Sequence, residues 1–229
     1  MDSLGDIKKS ALILEDWLKT PQGEAIYALE ETVFLDYWSQ VQSKSVLQLC
    51  GPALIDSPAI HGHYFHVDLY PDFFSRGLSV CALFHRLPFP DQSMDLVVVP
   101  HVQELYAEPQ LLYKEIDRVL APNGKMLMFG VNMSSLWAVQ RVFGDTVAPW
   151  SEHMQPAHIT IQQCEQVGLF LQKRGSFGFL PYNQSHWLKT LPLLGMISYK
   201  QPHLGAVSVM LFDKSVLSYQ NNLVSEKDV

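Results

Sequence analysis

The chain has 229 residues, of which 48% are hydrophobic and 17% charged, and this composition excludes disorder for most of its length. Its 16 lysine and arginine residues against 23 aspartate and glutamate residues give a net charge of −7, which disfavours nucleic acid as a partner without excluding a local basic patch. A mass of 26.0 kDa is typical of one domain, or two, with a core that folds without disulfides.

Cysteine usage and apolar runs indicate the compartment. Cys50, Cys81 and Cys164 are odd in number and far apart, and no CxxC pair suggests zinc, redox chemistry or a disulfide framework. The N-terminus lacks the apolar core of a signal peptide, and no apolar run approaches the ~20 residues of a membrane span. We therefore expect a cytoplasmic protein with buried thiols.

Helical periodicity opens the chain. Between residues 12 and 38, apolar residues recur at steps of three and four, which is typical of amphipathic helices. Thr20 followed by Pro21 resembles an N-cap with proline at the first helical position. The sequence predicts two helices here, the second over Pro21–Gln40.

From Ser45 onward, short apolar runs replace the helical period. Such runs suit strands that are buried on both faces of a parallel sheet. The predicted strands are Val46–Cys50, Tyr64–Leu69, Leu78–Leu83, Leu96–Val99 and Lys125–Val131. A helix over Gln110–Leu120, ended by Pro122-Asn123-Gly124, connects the last two strands in a right-handed crossover.

The C-terminal part contains helices and two more strands. The predicted elements are helices Ser134–Phe143 and Ile159–Val167 and strands Leu169–Phe179 and Ala206–Phe212. The proline-rich stretch between these strands is too long for a tight hairpin. Within it, the apolar segment Trp187–Met196 either covers the sheet or forms a lid or a partner surface.

These patterns predict three parts of the chain. Residues 1–42 form a helical extension packed on the core, 43–220 form the core domain, and 221–229 form a flexible polar tail.

Candidate ligand groups follow the strands, because an open parallel sheet binds its ligand outside the carboxyl ends of the strands. Asp68 ends the second strand 20 residues after Gln48, where a carboxylate can accept hydrogen bonds from ribose hydroxyls; alternatively it caps a turn. After the first strand, Gly51 lets a ligand approach the backbone, whereas Pro52 offers no N–H.

Two histidine groups are candidates for chemistry. His101 and Glu104 follow the fourth strand, where a neutral imidazole could accept a proton while the carboxylate orients it; alternatively, His101 packs at the sheet edge. In HGHYFH, His61 and His63 alternate onto one side of an extended segment, but no third ligand is indicated, so we predict no metal site.

Residues 87–97, LPFPDQSMDLV, resemble the LPF-x-D-x-S-x-D stretch of class I S-adenosylmethionine-dependent methyltransferases of type 11. EIDRVL at 115–120 and PNG at 122–124 resemble the helix and turn that precede the fifth strand in that superfamily. Further matches narrow the resemblance to a proteobacterial methyltransferase-like subfamily: TPQG at 20–23, VLQL at 46–49, Pro100-His101, GVN at 130–132 and SLW at 135–137.

The resemblance implies an α/β, Rossmann-like fold: a seven-stranded, mostly parallel sheet with helices on both faces and the last strand antiparallel, extended by two N-terminal helices. It also implies S-adenosylmethionine as cofactor across the ends of the first, second and fourth strands, and an acceptor that the sequence leaves unidentified. The residues it places at the cofactor are Gln48, Cys50, Gly51, Asp68, Leu69, Leu83 and Pro100, with His101 as the catalytic candidate on the acceptor side.

Two departures from the superfamily pattern bear on function. Gln48 replaces the usual acidic residue of the first strand, and Leu83 replaces the usual aspartate after the third. Each lost charge-assisted hydrogen bond costs about 1.5 to 3 kcal/mol if nothing replaces it, so two losses weaken binding roughly a hundredfold or more. We expect a methyltransferase with a remodelled cofactor site; the alternative is an inactive binding or scaffold protein of the same fold.

Overall fold

A computed structural model of the chain describes residues 4–40, 45–54, 62–69, 78–135, 153–178 and 204–214. The predicted segment Trp187–Met196, the tail 221–229 and all but the first two residues of the predicted helix Ser134–Phe143 lie outside these ranges; Ser134 and Ser135 form a turn.

The described part contains seven strands, four α-helices and one 3₁₀ helix. The strands are β1 (Ser45–Leu49), β2 (His63–Asp68), β3 (Leu78–Cys81), β4 (Met94–Pro100), β5 (Leu120–Val131), β6 (Leu169–Phe177) and β7 (Val207–Lys214). The helices are α1 (Leu4–Leu18), α2 (Pro21–Gln40), α3 (Gln110–Val119) and α4 (Ala157–Gln166), and the 3₁₀ helix is Val102–Leu105.

All seven strands form one sheet in the order β3-β2-β1-β4-β5-β7-β6. β1 pairs in parallel with β2 and β4, β2 with β3, and β4 with β5, whereas β7 pairs antiparallel with both β5 and β6. The chain therefore has the predicted Rossmann-like fold with an antiparallel last strand. The strand order reverses between β1 and β4, which is where open α/β sheets bind their ligands.

The centre of the sheet is fully buried, as expected for apolar runs without alternation. Residues 96–99 of β4 have no exposed surface, and neither do Phe129 of β5 and Tyr113 of α3. Such strands are covered on both faces by other parts of the chain. The apolar run accounts for the burial of β4, and the pairing of β4 with β1 brings the carboxyl ends of these two strands together.

The second helix has the predicted bounds, and its start has a clear physical cause. Thr20 Oγ1 accepts a hydrogen bond from the Gly23 N–H at 3.2 Å, which satisfies one of the free donors of the first turn. Proline at the first helical position removes another donor without loss. This cap sets where α2 begins and hence which of its side chains reach the sheet.

Two other elements are longer than the sequence predicts. α1 begins at Leu4 instead of near Leu12, and β5 begins at Leu120 because that residue pairs with Met94 ahead of an irregularity in the ladder. α3 ends at Val119, just before the PNG residues 122–124, and these residues lie within the span of β5. Among the described residues, no helix is long and apolar enough to cross a bilayer.

Candidate functional site

The carboxyl ends of β1, β2 and β4 lie side by side. Gln48 of β1 is paired with His66 of β2 on one side and with Val98 of β4 on the other. The loop after β1, Asp68 and the Pro100-His101 pair therefore share one edge of the sheet. The structure brings together the strand ends that the sequence predicts to form a cofactor site.

The loop after β1 turns sharply through two consecutive residues with left-handed backbone. Cys50 has φ 63° and Gly51 has φ 73°. The Cys50 N–H donates to the Val67 carbonyl at 2.8 Å, which ties the start of the loop to β2. A Cβ added to Gly51, which is itself buried, would meet no atom of the described residues within 4 Å, so none of these residues fills the space beside this glycine.

Gln48 gives this loop its shape. Its Nε2 donates to the carbonyl oxygens of Cys50 at 2.8 Å and Pro52 at 2.6 Å, while its Oε1 accepts from the Leu54 N–H at 2.9 Å and from the Tyr64 hydroxyl. The side chain is fully buried. A contact between the Gln48 side chain and cofactor stays a prediction; in the structure its hydrogen bonds hold the loop.

Asp68 is 7% exposed and ends β2. Its Oδ1 accepts the N–H of Leu69 at 2.6 Å, and the buried Leu69 in turn accepts a hydrogen bond from the Cys81 thiol at 3.3 Å. As the last residue of β2, Asp68 places its carboxylate at this edge of the sheet.

The Cys50 thiol lies near Asp68. Burial, together with the negative charge of Asp68, raises the pKa of this thiol, so it is not a nucleophile at neutral pH.

Leu83 and Pro100 complete the predicted set. Leu83 is half-buried, and its carbonyl accepts the Arg86 N–H at 2.9 Å in a tight turn after β3. Pro100 is buried and pairs with Phe129 of β5. Both offer apolar surface at the ends of their strands.

His66 of the HGHYFH stretch is buried, whereas His63 at the start of β2 is exposed, and burial lowers the pKa of His66. Its Nε2 lies 3.4 Å from the Cys50 carbonyl oxygen, so it packs beneath the loop after β1. Within the described ranges, no group of three histidine, cysteine or acidic side chains could hold a metal ion.

His101 lies between two buried carboxylates. Its Nε2 is 2.7 Å from Glu30 Oε1, and its Nδ1 is 3.2 Å from Glu104 Oε2. Glu104 also accepts the Val131 N–H, and all three members of this cluster, Glu30, His101 and Glu104, are at most 6% exposed. The cluster joins α2, the end of β4 and the end of β5.

This geometry changes the protonation state expected for His101. Burial alone would lower its pKa, but the charges of Glu30 and Glu104 outweigh burial and raise the pKa to about 10. The ring is therefore an imidazolium at neutral pH, with both nitrogens donating. The sequence leaves open a neutral imidazole that accepts a proton; the two flanking carboxylates favour instead a cation that holds them, and a catalytic role of His101 stays a prediction.

Glu30 is a site residue that the sequence analysis missed. The signal was present: Ile26 four positions before and Val33 three positions after lie on the buried face of α2, so a glutamate between them must find a partner. The partner is 71 positions away in sequence, which helix periodicity does not indicate.

Comparisons with known proteins support the same family as the sequence. Residues 50–128, about a third of the chain, match a family model described as a methyltransferase domain (Methyltransf_11). No curated protein matches the sequence.

Several solved structures share the fold. A Thermotoga maritima S-adenosylmethionine-dependent methyltransferase, described as a possible histamine N-methyltransferase, has a TM-score of 0.65 and 14% identity over 83% of this chain and 89% of its own. A putative methyltransferase in complex with the Haloferax volcanii Trm112 activator has a TM-score of 0.61 and 15% identity, covering 88% and 97%. An Archaeoglobus fulgidus S-adenosylmethionine-dependent methyltransferase has a TM-score of 0.61 and 15% identity, covering 82% and 94%. The chain thus has the fold of class I methyltransferases.

Gln48→Glu tests whether the buried amide shapes the loop. A carboxylate cannot donate to the Cys50 and Pro52 carbonyls and would place a charge beside them, so we expect the free energy of unfolding to fall by at least about 2 kcal/mol. Urea denaturation measures this. Gln162→Glu, on the exposed face of α4, is the matched control and should change stability little. Equal effects of the two substitutions would contradict the assigned role of Gln48.

The His101 pKa predicts a pH-dependent contribution to stability. Since the folded-state pKa of about 10 lies above the ordinary value of 6.5, the contribution is complete below pH 6.5 and is lost as pH rises through about 10. His101→Asn removes the cation, and asparagine tolerates the left-handed backbone at φ 58°. The stability difference between wild type and this variant, from urea denaturation, should be largest at or below pH 6.5 and shrink toward pH 10. A difference independent of pH would contradict a buried imidazolium.

Proposed function

We propose that this protein is a class I methyltransferase that binds S-adenosylmethionine at the ends of β1, β2 and β4 and transfers its methyl group to an acceptor. The observation that carries the proposal is the adjacency of the left-handed Cys50-Gly51 turn and the Asp68 carboxylate at the point where strand order reverses. The family match over residues 50–128 and the fold support it.

The residues at this edge fit the cofactor. Asp68 supplies a carboxylate where a ribose diol would need acceptors, and no described residue fills the space beside Gly51, where a ligand would lie against backbone N–H and carbonyl groups. Leu69, Leu83 and Pro100 provide apolar surface for the flat faces of an adenosyl group.

The site lacks the charges that the superfamily commonly uses. Gln48 is neutral and its hydrogen bonds serve the loop, while Leu83 contributes no polar atom from its side chain. Affinity then depends on Asp68, on backbone groups of the loop and on apolar contact. We expect binding weaker than micromolar yet measurable, since each missing charge-assisted hydrogen bond costs about tenfold or more.

When bound, S-adenosylmethionine supplies an electrophilic methyl group on a sulfonium, so the protein's task is alignment and exclusion of water. His101 is a positioning residue in this proposal. As an imidazolium bonded to Glu30 and Glu104, it fixes the backbone that follows β4 and leaves proton removal from the acceptor to another group.

Finer assignments follow from the same resemblance. We infer a proteobacterial subfamily, a cytoplasmic location, a helical extension over residues 1–42 and a core domain over 43–220. The extension is anchored to the core by the Glu30 contact and by the Tyr27 hydroxyl, which donates to the Ala53 carbonyl at 2.5 Å.

Calorimetric titration with S-adenosylmethionine tests the proposal. Wild type should bind, and Asp68→Asn, which keeps the shape but removes the charge, should weaken binding about tenfold or more. Asp16→Asn, on the exposed face of α1, is the control and should bind like wild type.

The decisive negative result is also clear. No heat at millimolar ligand in a protein shown to be folded, together with no shift of its melting temperature, would contradict the cofactor site and favour a scaffold of the same fold. Unchanged affinity of Asp68→Asn would show that S-adenosylmethionine binds without the Asp68 charge and would contradict the role assigned to Asp68.

A further inference from the structure

A pocket lies on the other side of β4 from the loop after β1. It has a volume of about 40 Å³ and lies between α3, α4 and the strands β5, β6 and β7. We call it the α3–α4 pocket. Its lining includes Gln103, Tyr113, Gly130, Gln155, Arg174 and Ser208.

Several buried polar atoms of this pocket lack a partner. Gln103 Oε1, Tyr113 Oη, Gln155 Oε1, Arg174 Nε and Ser208 Oγ make no hydrogen bond to any part of the chain that the structure describes. Gln103 is 8% exposed and Ser208 2%. Buried polar groups are rarely left unsatisfied in proteins, so five such atoms around one cavity indicate a polar ligand.

Gln103 is held in place through its amide nitrogen. Its Nε2 donates to the Phe129 carbonyl at 3.0 Å and lies 3.4 Å from Glu104 Oε1, which fixes the orientation of the amide. A Cβ added at Gly130 would lie 2.5 Å from Gln103 Nε2, so this arrangement requires glycine there. The free Oε1 therefore needs a ligand that donates a hydrogen bond.

Arg174 supplies the charge of the pocket. It is half-buried on β6, and no carboxylate of the described residues forms an ion pair with it. Burial lowers its pKa, because the guanidinium is less well solvated there than in water. Glu104 also lines the pocket, but its oxygens bond to His101 and to the Val131 N–H, so its charge is offset within the cluster.

We propose that the α3–α4 pocket binds a small hydroxy or amino acid. The carboxylate of the ligand pairs with Arg174, and its O–H or N–H groups donate to the amide oxygens of Gln103 and Gln155, with Ser208 as a further partner. The role of this ligand as methyl acceptor rests on the proposed function, whereas its binding does not. The pocket and the cofactor edge share the Gln103-Glu104 turn, which begins at His101.

NMR of the arginine Nε–H groups tests this directly. The Arg174 signal is identified by its loss in Arg174→Gln, and wild type is titrated with glycolate, acetate or inorganic phosphate. We expect glycolate to shift this signal and to bind about fivefold more tightly than acetate, because glycolate adds a hydroxyl donor to the same carboxylate. Phosphate should bind more weakly than glycolate.

Matched variants locate the site. By calorimetry, Arg174→Gln should weaken glycolate binding at least tenfold, and Ser208→Ala should weaken it severalfold. The serine variant provides a second test if the arginine variant does not fold. Lys173→Gln removes a neighbouring exposed charge and should leave binding unchanged. Asp68→Asn should also leave glycolate binding unchanged, while Arg174→Gln should keep affinity for S-adenosylmethionine, so the two proposals fail separately.

Four results would overturn the inference. They are equal affinity for acetate and glycolate, tighter binding of phosphate, unchanged glycolate binding by folded Arg174→Gln, and equal weakening by Lys173→Gln and Arg174→Gln, which would show nonspecific attraction to the net charge of the surface.

Discussion

The buried Glu30–His101–Glu104 cluster is the interaction on which the architecture of both candidate sites depends. It fastens α2 to the end of β4 and, through the Val131 N–H, to the end of β5. Two carboxylates this deep need a cation between them, and removing one member of such a network typically costs about 3 to 5 kcal/mol because an unpaired charge stays buried. On one side of the cluster lies the Pro100 end of the cofactor edge; on the other, Gln103 and Glu104 enter the α3–α4 pocket.

The loop after β1 shows how a neutral residue can order a tight turn. A glutamine offers donors and acceptors at once, and Gln48 uses both kinds to join Cys50, Pro52 and Leu54 into one rigid turn. A carboxylate would only accept. The loop is therefore ordered by the protein itself, and its left-handed residues are held in place by hydrogen bonds rather than by a bound ligand. The proposed affinity for S-adenosylmethionine then depends on Asp68 and the backbone groups of this loop.

Local patterns predicted much of the fold. The apolar run at residues 96–99 indicated a buried central strand, and the cap at Thr20 gave the start of α2, because both depend on neighbours in sequence. The charged contacts of the site were beyond such patterns. Glu30 contacts His101 across 71 positions, and the residues that line the α3–α4 pocket come from six separate stretches of chain. The protonation state of His101 follows only from its contacts with the two carboxylates, since an isolated imidazole gives no reason to expect a pKa near 10.

The most direct test of the central claim is a crystal structure of the protein with S-adenosylhomocysteine. The account predicts that the ribose hydroxyls lie within hydrogen-bonding distance of the Asp68 carboxylate, that the adenosyl group passes beside Gly51, and that the Glu30–His101–Glu104 cluster is intact beneath it. An adenosyl group bound elsewhere, or an Asp68 carboxylate turned away from the ligand, would contradict it.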